Sequence, residues 1–285
     1  MKIVTYQHHG AAAAGILTAT AIVPLALFGY DDVLSYLRAG ESAWNVVRAK
    51  VDAVPASDRI DASAVTLLAP IPNPGKIICV GLNYRDHAIE SKMEIPSVPT
   101  VFAKFPSAII GPDASIVIPR LTQKPDWEAE LAVVIGKHAK NAAAGDWEQY
   151  VFGYTILNDV SARDVQLATS QWILGKSFDT FAPIGPAIVS KDEVGDPHTL
   201  DIQLSIDGVV QQHSNTRELI FKVPALIAYI SSIIPLEPGD IISTGTPAGV
   251  GLGQNPQRWL KPGEEVVAQI EKLGVLRNPV IAESL

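Results

Sequence analysis

Asp126-Trp127-Glu128-Ala129-Glu130-Leu131-Ala132-Val133-Val134-Ile135-Gly136 passes from acids directly into an unbroken apolar, β-branched run. Such a run reads as a strand entering a core. Side chains alternate along a strand, so residues 126, 128 and 130 fall on one side of it. Carboxylates crowded on one face repel unless water solvates them or a cation neutralises them, and a strand entering a core has little water. A divalent cation would resolve the conflict, because hard cations take carboxylate oxygens. A solvated strand end is the alternative. A third acid, Asp159, closes the apolar run 153–157 at the start of a polar turn, a common address for ligand groups. Spacing alone leaves open whether Asp159 meets Glu128 and Glu130.

The chain has 285 residues, 47% hydrophobic and 18% charged, which suits a folded protein with a substantial core. Thirty acidic residues against 22 basic ones give a net charge of −8 with no Lys/Arg block. That balance argues against nucleic acid or an anionic membrane as a partner, but not against a small anionic substrate. The single cysteine, Cys79, lies in an apolar run and reads as a buried, inert thiol. No disulfide framework follows from it, and the expected compartment is the cytoplasm. Residues 10–30 carry no charge, but Gly15, Pro24 and four successive alanines weaken the case for a targeting or spanning segment. They are expected to supply short strands of a small domain.

That small α/β unit covers residues 1–68, with strands at 3–6 and 16–23 and a short helix capped by Asp31 and Asp32 through Arg38. Trp44, Val47, Val51 and Val54 fall on one helical face. Pro70, Pro72 and Pro74, followed by Gly75, mark the boundary to a second domain, 69–285. Strands are expected there at 76–80, 100–104, 108–111, 115–118, 129–135, 151–157, 185–189, 200–206, 240–244 and 265–271. Helices are expected near 83–91, 162–169 and 223–233. The fold class is therefore α+β and β-rich, of sandwich or barrel type.

Other segments carry chemistry. His87 and Glu90 are three apart and would share a helical face, where a carboxylate orients an imidazole for general-base work; a surface pair is the alternative. Lys176, beside Gly175 in an apolar stretch, could stabilise an enolate or bind a carboxylate, or it could lie at a surface bend. The Gly-rich loop 243–253 lacks a nucleotide-binding pattern, and its N–H groups with the Thr246 hydroxyl suit a substrate carboxylate better. His8, His9, His138, His198 and His213 are expected on the surface.

Together these segments resemble the fumarylacetoacetate hydrolase family over residues 77–280. The likeness rests on Val80-Gly81-Leu82-Asn83-Tyr84 with His87, on Asp126-Trp127-Glu128-Ala129-Glu130-Leu131, on Asn158-Asp159-Val160-Ser161-Ala162-Arg163-Asp164, on Gly175-Lys176-Ser177-Phe178-Asp179-Thr180, and on Thr244-Gly245-Thr246-Pro247. The resemblance implies a mixed β-sandwich roll with a small N-terminal domain, usually a homodimer. It implies Mg²⁺ or Mn²⁺ held by Glu128, Glu130 and Asp159, with Asp126 a neighbour and not a ligand. His87 and Glu90 match a water-activating dyad on a lid, with residues 91–99 shaping the acyl pocket. Arg163, Gln166, Lys176 and Thr246 match substrate-site positions. The implied activity is C–C hydrolysis of acylpyruvate-type acids through an enolate that the metal and Lys176 stabilise. Oxaloacetate decarboxylation, enol–keto tautomerisation or isomerisation on the same platform is the alternative, and a non-catalytic metal-carboxylate binder is a third reading.

Overall fold

The strand Ala129–Ile135 is buried at every residue and forms the middle of the molecule. In the computed structural model, which describes residues 1–90 and 94–284, it pairs antiparallel with Val151–Asn158 on one side and Ile241–Ser243 on the other. The sheet continues through Ile77–Gly81 to Thr100–Lys104 in one direction, and through Ala182–Ser190 to Lys2–His8 in the other. Alternation divides the central strand's side chains between two cores. Leu131, Val133 and Ile135 join a large cluster with Ile202, Leu204, Val266 and Ile270 of a second, five-stranded sheet. Ala132 and Val134 face the opposite way, into smaller clusters. The result is a β-rich α+β sandwich whose central strand is apolar on both faces because both are covered.

The N-terminal strands extend this sheet. Lys2–His8 pairs with Ala182–Ser190 in the register Lys2↔Val189 and Ile3↔Ile188. Trp44, Val47 and Val51 are buried against a cluster that includes Val134, Phe152 and Ile188, as their helical spacing requires. Asp32 caps the helix Val33–Arg38 by accepting from Ser35 N at 2.6 Å. The expected strand 16–23 is two strands, Ala11–Leu17 and Ala21–Pro24, because Thr18 turns the chain by bonding to Ala21 O.

The helix Val223–Ile233 has the bounds its pattern predicts. Two long strands, Val209–Asn215 and Gly274–Ala282, were not anticipated, nor were the two- and three-residue strands Ile60–Asp61, Thr66–Leu68, Pro125–Asp126 and Ser161–Ala162. The first carries the polar run Gln211-Gln212-His213-Ser214, which hides the alternation. Asp207-Gly208 before it, both at positive φ, is the hairpin signal that could have revealed it.

His198 is not on the surface, in contrast to its sequence expectation. Its side chain is 10% exposed, with Nδ1 2.8 Å from Asp196 Oδ1 and Nε2 accepting from Val223 N, the first residue of the helix Val223–Ile233. Trp147 packs edge-on against the ring. Burial, partly offset by Asp196, lowers its pKa below the ordinary 6.5. The unfolded chain therefore takes up this proton first as pH falls, and the associated stability, present above about pH 6.5, declines below it. Thermal melts of wild type should lose more between pH 7 and pH 5 than those of His198→Gln. Equal losses would contradict the assignment.

Candidate functional site

Sheet pairing brings the acids together. Ala129 pairs with Asn158, so Glu128 and Glu130 flank the point at which the neighbouring strand ends and Asp159 begins. Asp159 N donates to Glu128 O at 2.8 Å, and Glu128 N donates to Asn158 Oδ1 at 2.9 Å. The three side chains are buried, and one carboxylate oxygen from each lies within 4.8 Å of the others. Asp126 turns away. Its carboxylate accepts from Gly251 N at 2.6 Å, Leu252 N at 3.0 Å and Arg163 Nε at 2.8 Å, which anchors the Gly-rich loop. Residues 126, 128 and 130 do not share a face because Trp127 and Glu128 lie between two strands, Pro125–Asp126 and Ala129–Ile135.

Lys176 Nζ bridges Glu128 Oε2 at 2.6 Å and Asp159 Oδ2 at 2.8 Å. Arg163 engages each of its three nitrogens, with Nε on Asp126, Nη2 on Glu128 and Nη1 on Gln166 Oε1 at 2.9 Å. Lys104, which the sequence reading treated only as part of a strand, is fully buried. It binds Asp159 Oδ1 at 2.6 Å and Val160 O at 3.1 Å. A lysine closing the apolar strand Thr100–Lys104 was the only available signal.

Burial, reinforced by Asp159 and Glu128, raises Glu130 well above the usual carboxylate range. Burial would also raise Glu128, but Arg163 and Lys176 outweigh it and hold that carboxyl below its ordinary value. Burial likewise opposes the Lys176 charge, yet Asp159 and Glu128 keep its pKa raised. For Lys104 burial prevails over Asp159, and the pKa is lowered.

These residues fit a divalent ion. The donor set is all oxygen, as hard cations require. Glu130 receives only Ser243 Oγ and Gly245 N, at 3.0 Å for the latter, and has no ion-pair partner among the described residues. A cation shared by the three carboxylates would satisfy the charge that burial otherwise penalises.

A cavity of about 650 Å³ opens over this cluster, with His87, Glu90, Arg163, Gln166, Lys176 and Thr246 among its lining residues. His87 Nδ1 lies 3.0 Å from Glu90 Oε2 on the helix Arg85–Glu90, and Glu90 Oε1 accepts from Gly249 N at 2.9 Å. Asn83 fixes the base of that helix through Phe221 and Thr244. The Gly-rich loop spends much of its hydrogen bonding on the protein itself. Gly245 N serves Glu130, and the Thr246 hydroxyl donates to Ala129 O at 3.0 Å and accepts from Gln212 Nε2 at 2.8 Å. Of the expected acyl-pocket segment 91–99, residues 91–93 lie outside the described residues. Cys79 is free and fully buried, as expected.

Comparison with known proteins agrees with this geometry. The model of the fumarylacetoacetate (FAA) hydrolase C-terminal family matches residues 76–281. The rat protein named oxaloacetate tautomerase Fahd2a, mitochondrial, is 48% identical over 250 residues, covering 87% of this chain and 79% of its own length. A Dictyostelium discoideum fumarylacetoacetate hydrolase domain-containing protein 2 homolog is 51% identical over 233 residues, covering 78% of this chain and 76% of that protein. Among solved structures, maleylpyruvate hydrolase from Sphingobium sp. SYK-6, in complex with manganese(II) ion and pyruvate, has a TM-score of 0.84 at 30% identity, with full coverage of both chains. The expectation of a cytoplasmic protein is corrected, because the rat, Xenopus laevis, bovine and human relatives are named as mitochondrial. Compartment is set by targeting signals, which net charge and cysteine content do not report. No helix among the described residues is long and apolar enough to cross a membrane. The fold, the buried acidic cluster and these likenesses agree, and the chain belongs to the fumarylacetoacetate hydrolase family as an enzyme of that family.

Proposed function

We propose that the protein interconverts the enol and keto forms of a small 2-oxo diacid of the oxaloacetate type. The observation that carries this reading is the Lys176 ammonium, buried between Glu128 and Asp159 in the cavity wall. A cation held there stabilises negative charge on a substrate oxygen as a proton leaves, and its raised pKa keeps it charged. Mg²⁺ or Mn²⁺ held by Glu128, Glu130 and Asp159 would supply Lewis-acid polarisation of the 2-oxo group. Arg163, fixed by Asp126, Glu128 and Gln166, presents a rigid guanidinium that orients a carboxylate. Gln166 and Thr246 complete the polar wall. The curated relatives named oxaloacetate tautomerases favour tautomerisation over the other reactions of this site.

A second reading, hydrolysis of an acylpyruvate to pyruvate and a carboxylic acid, is favoured by one specific contact, His87 Nδ1 to Glu90 Oε2 at 3.0 Å. With Nδ1 donating to the carboxylate, Nε2 is left to take a proton from water, which then attacks the distal carbonyl. Tautomerisation needs no attacking water, because the enol oxygen can lose its proton to solvent while C3 takes one from solvent.

Two substitutions test these roles in Mn²⁺-loaded protein. His87→Ala should lower acetylpyruvate hydrolysis by about 10²–10⁴-fold while enol-oxaloacetate conversion, followed by ultraviolet absorbance, falls by less than about tenfold. Equal losses would make His87 part of both reactions, and wild type inactive on oxaloacetate would refute the tautomerase reading. Lys176→Met should lower either reaction by about 10²–10³-fold. In EDTA it should also destabilise the fold by about 3–5 kcal/mol in urea unfolding, because buried carboxylates lose their partner. Added Mn²⁺ should restore part of that loss, and unchanged stability in EDTA would contradict the assigned role.

A further inference from the structure

The acidic stretch 126–130 carries one aromatic side chain that the cation site does not use. Trp127 is fully buried, and its Nε1 donates to Gly249 O at 3.1 Å. Gly249 lies at φ +102°, and a Cβ there would run into Gln211 O, so only glycine lets the loop press against the strand Val209–Asn215 at this point. The Gly249 N–H donates to Glu90 Oε1 at 2.9 Å, and Glu90 Oε2 lies 3.0 Å from His87 Nδ1. Gly253 closes the other side of the carboxylate, because a Cβ there would strike it. Glu90 is thus seated against backbone, and that backbone is held from behind by an indole.

The ring itself is fixed. The Arg258 guanidinium stands 5.1 Å from the Trp127 ring centroid, and its Nη2 donates to Glu264 Oε1 at 3.0 Å. Trp127 follows Asp126, which accepts from Gly251 N and Leu252 N, and precedes Glu128 of the acidic cluster. One short stretch therefore carries carboxylates of the cluster and grips the loop that seats Glu90. We propose that Trp127 is a positioning residue for water activation. Its indole N–H fixes Gly249, Gly249 orients the Glu90 carboxylate, and Glu90 keeps the His87 proton on Nδ1, which leaves Nε2 to accept from water. Trp127 lies behind the residues that line the cavity and acts only through these contacts. This rests on the hydrolytic reading above, in which His87 takes a proton from water.

Trp127→Phe removes the donor and keeps an aromatic ring. In Mn²⁺-loaded protein it should lower kcat for acetylpyruvate hydrolysis by about 10–10²-fold with KM unchanged, the cost of a catalytic group displaced by about 1 Å or less. Mn²⁺ affinity and enol-oxaloacetate conversion should stay as in wild type. Long-range ¹H–¹⁵N correlation spectra of the Mg²⁺-loaded protein, with the His87 signal identified by its loss in His87→Ala, read the tautomer directly. They should show the Nδ1–H form in wild type and a shift toward Nε2–H in Trp127→Phe. Arg258→Met, at the outer face of the ring, should move the same spectrum by less, and it carries the test if Trp127→Phe fails to fold. An unchanged His87 spectrum in every folded variant, a rise in KM with kcat unchanged, or loss of Mn²⁺ affinity together with both conversions overturns the inference. A shifted spectrum, in a protein whose wild type does not hydrolyse acetylpyruvate, supports the positioning of His87 by Trp127 and overturns the hydrolytic reading.

Discussion

Three carboxylates buried within 4.8 Å of one another constrain the rest of this structure. Removing a single charged group from water costs several kcal/mol even after the protein relaxes, so such a cluster persists only if cations and donors surround it. Lys104, Lys176 and Arg163 come from three separate segments, and each contacts a carboxylate of the cluster through a side chain that is itself buried. Glu130 lacks an ion-pair partner among the described residues and is held by a hydroxyl and a backbone N–H. The site is therefore charge-balanced around two of its acids and left unbalanced at the third. That asymmetry is what a divalent ion would correct.

The fold supplies the geometry through strand pairing. The Ala129↔Asn158 register brings Glu128 and Glu130 beside the residue that follows the neighbouring strand, and Ile241–Ser243 pairs along the other edge and delivers Ser243 and Gly245 to Glu130. A one-residue slip of the central strand would send Glu130 into the packed core and Leu131 into the cavity. Apolar packing on both faces specifies that register, so the same core that stabilises the sandwich also positions the site. Asp126 serves a different purpose, tying the Gly-rich loop and Arg163 to the cluster's edge.

The central strand and the acids at its start were legible because an acidic stretch running into a β-branched core segment is an energetic conflict visible in one dimension. Ala129–Ile135 and Val223–Ile233 appear with the bounds their patterns predict. Lys104 was not legible as a site residue. Its neighbours mark a strand, and nothing local says that the strand ends beside Asp159. His198 was misread for a similar reason: its flanking residues are polar, but tertiary packing buries its ring beneath the start of a distant helix. The strand Val209–Asn215 escaped because Val209 and Val210 at its start are exposed and its buried positions include Gln212, which inverts the usual pattern. Thr246 lines the cavity as its motif suggested, yet its hydroxyl is largely committed to Ala129 and Gln212, a detail that only the three-dimensional pairing reveals.

The central claim is that the acidic cluster is a divalent-metal site completed by Glu130. Titration of the metal-stripped protein with Mn²⁺, following the electron paramagnetic resonance signal of the free ion, tests it without reference to any substrate. The account predicts one tightly bound ion per chain, lost or greatly weakened in Glu130→Gln while the folded state is retained. A wild-type protein that binds no Mn²⁺, or a Glu130→Gln protein that binds it as tightly as wild type, would contradict it.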